Sequence, residues 1–108
     1  MARSFSHDLS VSGSPTDAQA RLRGVLIERL RRSAKMRLAS EQPNALSFRP
    51  RWSWPLALAL YRVISGEVVN VRFSAVDGGT QVAVSGKVAG NAEVIADQEF
   101  WAELLGAV

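Results

Sequence analysis

Apolar and polar positions alternate from Ser4 to Val11. Phe5, His7, Leu9 and Val11 fall on one side, and Ser4, Ser6, Asp8 and Ser10 on the other. That is the period of a half-buried strand, and Ser12-Gly13 ends it. At Ser14 the period changes. Ser14-Pro15-Thr16-Asp17 has the chemistry of a helix start: a hydroxyl at the N-cap, proline at the first helical position and an acid in the first turn. Ala18, Leu22, Val25, Leu26, Leu30, Ala34 and Met36 then recur at helical spacing, predicting a helix to about Ala39, before the break at Gln42-Pro43-Asn44. Ala45–Arg51 returns to alternation, with Leu46 and Phe48 inward and Ser47, Arg49 and Arg51 outward. Pro50 places the end of this strand at an edge or a bend.

From Glu67 to Val88 the pattern predicts two strands joined by a glycine turn. A Gly78-Gly79 loop sets Phe73 opposite Val84, Ala75 opposite Val82, Val71 opposite Gly86 and Val69 opposite Val88. An Asp77-Gly78 loop slips this register by two and keeps both faces. Either way, Asn70, Arg72, Ser74, Gln81, Ser85 and Lys87 share a polar face. Gly90-Asn91 then offers a cap for a final helix over about 91–105, with Val94, Trp101, Leu104 and Leu105 as its buried side. Only one sheet face is apolar, so both helices must cover that face. The expected fold is a single α+β domain over 1–108. It is a two-layer sandwich: an antiparallel sheet of four to five strands with a long N-terminal and a C-terminal helix on one side.

Trp52–Ile64, WSWPLALALYRVI, fits no single element. Its alternating Leu and Ala suit a buried strand, while Pro55 could equally begin a helix of one or two turns, and periodicity does not decide. Trp52 and Trp54 share one strand face, where two large rings and their indole N–H groups must all be accommodated. Pro55 then denies the backbone a ladder donor. Tryptophans flanking a Leu/Ala run, with Arg51 and Arg62 at its ends, also suit a segment at a membrane–water boundary. The run is too short to cross a bilayer. The sharper expectation is an exposed apolar patch formed by Trp52, Trp54, Leu56, Leu58, Leu60 and Tyr61.

This Trp-led segment, the strand Glu67–Ala75 and the run Gly-Gly-Thr-x-Val-x-Val-Ser-Gly from Gly78 to Gly86 together resemble small bacterial domains of unknown function. In those domains the apolar segment is often a longer hydrophobic hairpin. The order strand, helix, strands, helix also resembles TATA-binding-protein-like and shortened helix-grip (Bet v 1-like) domains. The resemblance covers mainly residues 45–88 and implies a fold, with no activity to carry over. The apolar segment here departs from that pattern in being short and interrupted by Arg62.

Composition narrows the chemistry. With 47% hydrophobic and 21% charged residues the chain suits a folded globule. It has no cysteine, which excludes disulfides, thiol catalysis and cysteine-ligated zinc. The N-terminus lacks the apolar core of a signal peptide, so the expected location is cytoplasmic, with peripheral membrane contact as an option. The net charge of +3 is uneven: residues 21–37 carry a local +6 and residues 90–108 a local −4. Arg21, Arg31, Arg32 and Lys35 form a basic stripe on the long helix, with Glu28 among them. Arg49, Arg51, Arg72 and Lys87 could line the open sheet face. No aromatic residue joins that face to stack on bases, so a solvated, partly ion-paired helix is favoured over a nucleic-acid surface.

Ser6-His7-Asp8 holds the sole histidine, but adjacent strand residues point to opposite faces and cannot converge as a triad. Glu93, Asp97, Glu99 and Glu103 spread along a helix and read as a solvated or ion-paired face. Gly78-Gly79 leads into a strand, unlike a phosphate cradle, and reads as a turn. Gly86 faces the helices and suggests close helix approach or a bulge. These readings predict a non-enzymatic binding domain with no cofactor and no metal. Its partner is a protein, a second copy or a membrane surface. The alternative is a small apolar ligand held between sheet and long helix by Leu22, Leu26, Phe73 and Val84. A nucleic-acid-binding module ranks third.

Overall fold

The computed structural model describes residues 3–50 and 66–106, except the side chain of Asn91. Strand β1 (Arg3–Val11) leads into helix α1 (Pro15–Ala34), followed by β2 (Met36–Gln42), β3 (Ala45–Pro50), β4 (Val68–Val76) and β5 (Gly79–Val88). A 3₁₀ helix over Gly90–Ala96 and helix α2 (Gln98–Gly106) complete the chain. The five strands form one antiparallel sheet in the order β1-β5-β4-β3-β2. The fold is thus α+β, with the helices on the apolar face.

This order explains the length of α1. It connects the two edge strands, which lie about 19 Å apart at roughly 4.8 Å per strand, and 20 residues give a rod of about 30 Å that crosses the sheet obliquely. Ser14 caps α1 as the sequence requires, its Oγ accepting from the Asp17 N–H at 3.2 Å. Ala18, Leu22, Leu26, Leu30 and Ala34 form the buried stripe, while Val25 is half-buried.

The end of α1 differs from the expectation. The helix stops at Ala34 because Lys35 turns left-handed at φ 52, its N–H reaching back to Leu30 O. Met36, expected on the helix, instead opens β2 opposite Pro50 and is fully buried. Pro43-Asn44 then makes a tight hairpin turn in which Asn44 takes φ 67. Gln19 on α1 clamps this turn, donating to Gln42 O at 2.9 Å and accepting from Asn44 N at 2.7 Å.

The β4–β5 hairpin turns at Asp77-Gly78, and Gly78 carries the positive φ of 82°. The Gly78-Gly79 register is therefore displaced by two: Phe73 faces Val82, Val71 faces Val84 and Val69 faces Gly86. The faces survive the shift because side-chain direction repeats every second residue. Phe73, Val69, Val71, Val82 and Val84 are buried, whereas Ala75 lies past the core and is exposed. Gly86 is close to a neighbouring strand and not, as expected, to a helix. A Cβ there would overlap the backbone of Val68 and Val69 on β4.

The C-terminal segment is also divided differently. Its first part is a 3₁₀ helix, whose three residues per turn bury Ala92, Ile95 and Ala96 and leave Val94 51% exposed, contrary to the α-helical expectation. Trp101, Leu104 and Leu105 are buried as anticipated. Trp101 locks this end to the sheet. Its Nε1 donates to Ile95 O at 2.6 Å, and its ring stacks on Phe5 at 6.2 Å and meets Phe100 edge-on at 5.2 Å. Buried Thr80 secures the other end of the sheet by donating to Gly13 O at 2.7 Å.

Candidate interaction surface

The expected patch of Trp52, Trp54, Leu56, Leu58, Leu60 and Tyr61, together with Arg51, lies outside the described residues. Its attachment points are described. The chain leaves the sheet at Pro50 on β3 and re-enters at Gly66, before Val68 on β4, and these two strands are hydrogen-bonded neighbours with Phe48 opposite Val69. Glu67, 1% exposed, sits at re-entry and accepts from Ala89 N at 3.3 Å, tying the start of β4 to the end of β5.

The basic stripe of α1 is partly ion-paired. Arg31 makes a two-pronged contact with Glu28, Nη2 to Oε1 at 2.7 Å and Nε to Oε2 at 3.3 Å. That hydrogen bonding is the main reason the Glu28 carboxyl is held below its ordinary range. Slight desolvation opposes it, and the charges of Arg31 and Arg32 add to it. Arg21 lies 3.5 Å from Asp17 and also donates to Ser12 O. Arg23 bonds Glu41 on β2 at 2.8 Å, raising its own pKa. Arg32 and Lys35 are exposed on the last turn and the cap of the helix, where cations complement its dipole.

Opposite charges of the two helices meet. Arg29 approaches Glu103 at 3.8 Å and lies over the Phe100 ring at 5.4 Å from its centroid. Asp97 pairs with Arg3 at 3.5 Å. Among the described residues no group of three or more His, Asp or Glu is placed to hold a metal ion.

His7 lies half-buried beside Phe5, with ring centroids 5.9 Å apart, and its Nε2 sits 2.7 Å from Ala96 O. A carbonyl only accepts, so Nε2 carries the proton and the ring pins the 3₁₀ helix to β1. Ser6 and Asp8 are exposed on the other face. Leu22, Leu26, Phe73 and Val84 are 0–3% exposed and packed within one core cluster. Shallow depressions mark the surface. One of about 110 Å³ lies between the end of β1, α1 and Leu105, and one of about 150 Å³ lies on the open sheet face beside the β2 bulge.

The open face is built from small polar side chains. A continuous row runs Ser6, Ser85, Asn70, Ser47, Ser40 across all five strands, with the Ser47 hydroxyl 3.0 Å from Asn70 Oδ1. Arg49, Arg72 and Lys87 are exposed there as expected. Arg37 joins them: assigned by periodicity to the helix, it is on β2, directly opposite Arg49. The signal available in the sequence was the alternation Met36, Arg37, Leu38, masked by continuity with the helix. Arg37, Arg49, Arg72 and Lys87 make no ion pair among the described residues.

No protein-family model matches the chain, and no curated protein or solved structure is significantly similar to it. No described helix is long and apolar enough to cross a membrane.

Proposed function

We propose that this chain is a non-catalytic interaction domain whose contact element is the apolar segment containing Trp52, Trp54, Leu56, Leu58, Leu60 and Tyr61. The observation that carries this reading is the β3–β4 connection. Two directly paired antiparallel strands need only two to five linking residues, yet here the link runs from 51 to 67 and is rich in Trp and Leu. Binding residues are disproportionately carried by the segments that connect the elements of a rigid scaffold. The partner is a protein surface, a second copy or a membrane. A ligand chamber between sheet and α1 has less support, because Leu22, Leu26, Phe73 and Val84 fill core positions. Catalysis has less still: His7 is engaged with Ala96 O, and Ser6 and Asp8 are on the opposite face.

Trp54→Ser combined with Leu58→Ser tests the reading. Melting temperature is measured beside solution mass at micromolar concentration, with and without vesicles. The expected result is lost association with a stability change near the 0.5 kcal/mol typical of surface substitutions. A collapse in stability in a chain that never associated would make the segment part of the core and overturn the proposal.

A further inference from the structure

The cations on and around the sheet are not spread evenly. Strand directions place Arg3, Lys35, Arg37, Arg49, Pro50, Gly66 and Lys87 at one end of the domain, and Gly13, Asn44 and Asp77 at the other. On the open face at the first end, one cross-strand row contains Lys87 opposite Val68, then Arg49, one position beyond the Phe48–Val69 pair, then Arg37 opposite Arg49. Like charges directly opposite one another destabilise a sheet. Acids at this end are otherwise engaged: Glu28 with Arg31, Asp97 with Arg3, and Glu67 buried against Ala89 N. Glu93, half-buried on the 3₁₀ helix, and Glu99, exposed on the first turn of α2, remain on the helical layer. The row therefore concentrates three exposed positive charges within roughly 15 Å of sheet width. They border the two points where the segment 51–65 joins the sheet.

We propose that Arg37, Arg49 and Lys87 form a contact for anionic phospholipid headgroups. A row of clustered cations supplies headgroup attraction, the electrostatic one of the two signals that stable peripheral binding needs. Charge complementarity alone would also suit a phosphodiester chain. Among the described residues, however, the open face offers no aromatic ring for base stacking: Ser, Asn, Ala, Gln and Val lie between its cations, and Asp8 stands on the β1 edge. Arg72 is a built-in control. It is exposed on the same face but two side-chain rows, about 13 Å, farther from the lipid-facing end.

The test measures binding of the full chain to vesicles of phosphatidylcholine alone or mixed with phosphatidylserine, with a single-stranded oligonucleotide as competing probe. The wild-type chain should prefer the anionic vesicles. Arg37→Gln, Arg49→Gln and Lys87→Gln combined should weaken that binding by on the order of 100-fold, about fivefold per cation, while Arg72→Gln should change it little. The triple variant should melt at or above the wild-type temperature, since it removes a repulsive pair. Equal binding to both vesicle types, an indifferent triple variant, or tighter binding to the oligonucleotide would overturn the lipid assignment. Association that survives the triple change and disappears with Trp54→Ser and Leu58→Ser would leave the contact segment standing and remove the lipid. Vesicle binding that needs the cations and tolerates the Trp54 and Leu58 changes would instead refute the segment.

Discussion

Trp101→Ala should be the most damaging single substitution in the C-terminal third of the chain. The residue is fully buried, and truncating a buried tryptophan costs about 3–5 kcal/mol. Two further losses accompany the cavity. The indole N–H no longer satisfies Ile95 O, and an unpaired buried acceptor costs about 1–3 kcal/mol unless water reaches it. The ring pairs with Phe5 and Phe100 also disappear, each about 0.5–1.5 kcal/mol beyond area burial. These terms overlap, so about 4–5 kcal/mol is the expected total, against roughly 5–15 kcal/mol for a whole domain. Trp101→Phe separates them, keeping most of the ring and losing the hydrogen bond, and should cost about 2 kcal/mol. Urea melts followed by far-UV circular dichroism give both values. A double-mutant cycle of Phe5→Leu with Trp101→Leu should return a coupling near 1 kcal/mol. A cost below about 1 kcal/mol for Trp101→Ala, or additive behaviour in the cycle, would refute the claim that this ring locks the last helix to β1.

Other consequences are as specific. Phe73→Ala should cost about 3–5 kcal/mol and Arg72→Ala no more than about 0.5 kcal/mol, because adjacent residues of β4 face the core and solvent respectively; equal losses in urea would contradict the assigned faces. Glu103→Lys should lower the melting temperature more at low salt than at high salt through its contact with Arg29, by at most about 1 kcal/mol; salt-independent behaviour would mean the charges do not interact. The Glu28 carboxyl has a lower pKa folded than unfolded, so its stabilising effect is present above the ordinary glutamate range near 4.3 and fades as pH falls through the folded value. Glu28→Gln should therefore be less stable than wild type at neutral pH and indistinguishable from it in strong acid, and the reverse order in a pH series of thermal melts would refute that sign.

Much of the fold was legible because period and caps agreed. Phe5 through Val11 alternate as β1 does, and Ser14-Pro15 starts α1 where hydroxyl capping and a fixed φ favour it. The helix end was not legible. Left-handed C-caps usually announce themselves with glycine, and here Lys35 takes that conformation. Met36–Gln42 then hides as a strand, since the register shift between Leu38 and Ser40 breaks its alternation after three residues. With β2 goes Arg37, so the Arg37–Arg49 pair could not be found from periodicity. The hairpin faces were readable but the register was not, because a slip of two leaves every side chain on its original face. Val94 was misplaced for a geometric reason: a 3₁₀ turn rotates its buried side relative to an α-helix.

The central claim is that the segment between β3 and β4 binds a partner and is dispensable for folding. The most direct measurement replaces 52–64 with a short Gly-Asn-Ser turn and compares melting temperature, solution mass and flotation on phosphatidylserine-containing vesicles with those of the wild-type chain. The account predicts a melting temperature within about 8 °C of wild type, equivalent to roughly 1 kcal/mol, and loss of every association the wild type shows. An unfolded variant, or one that still associates, would contradict it.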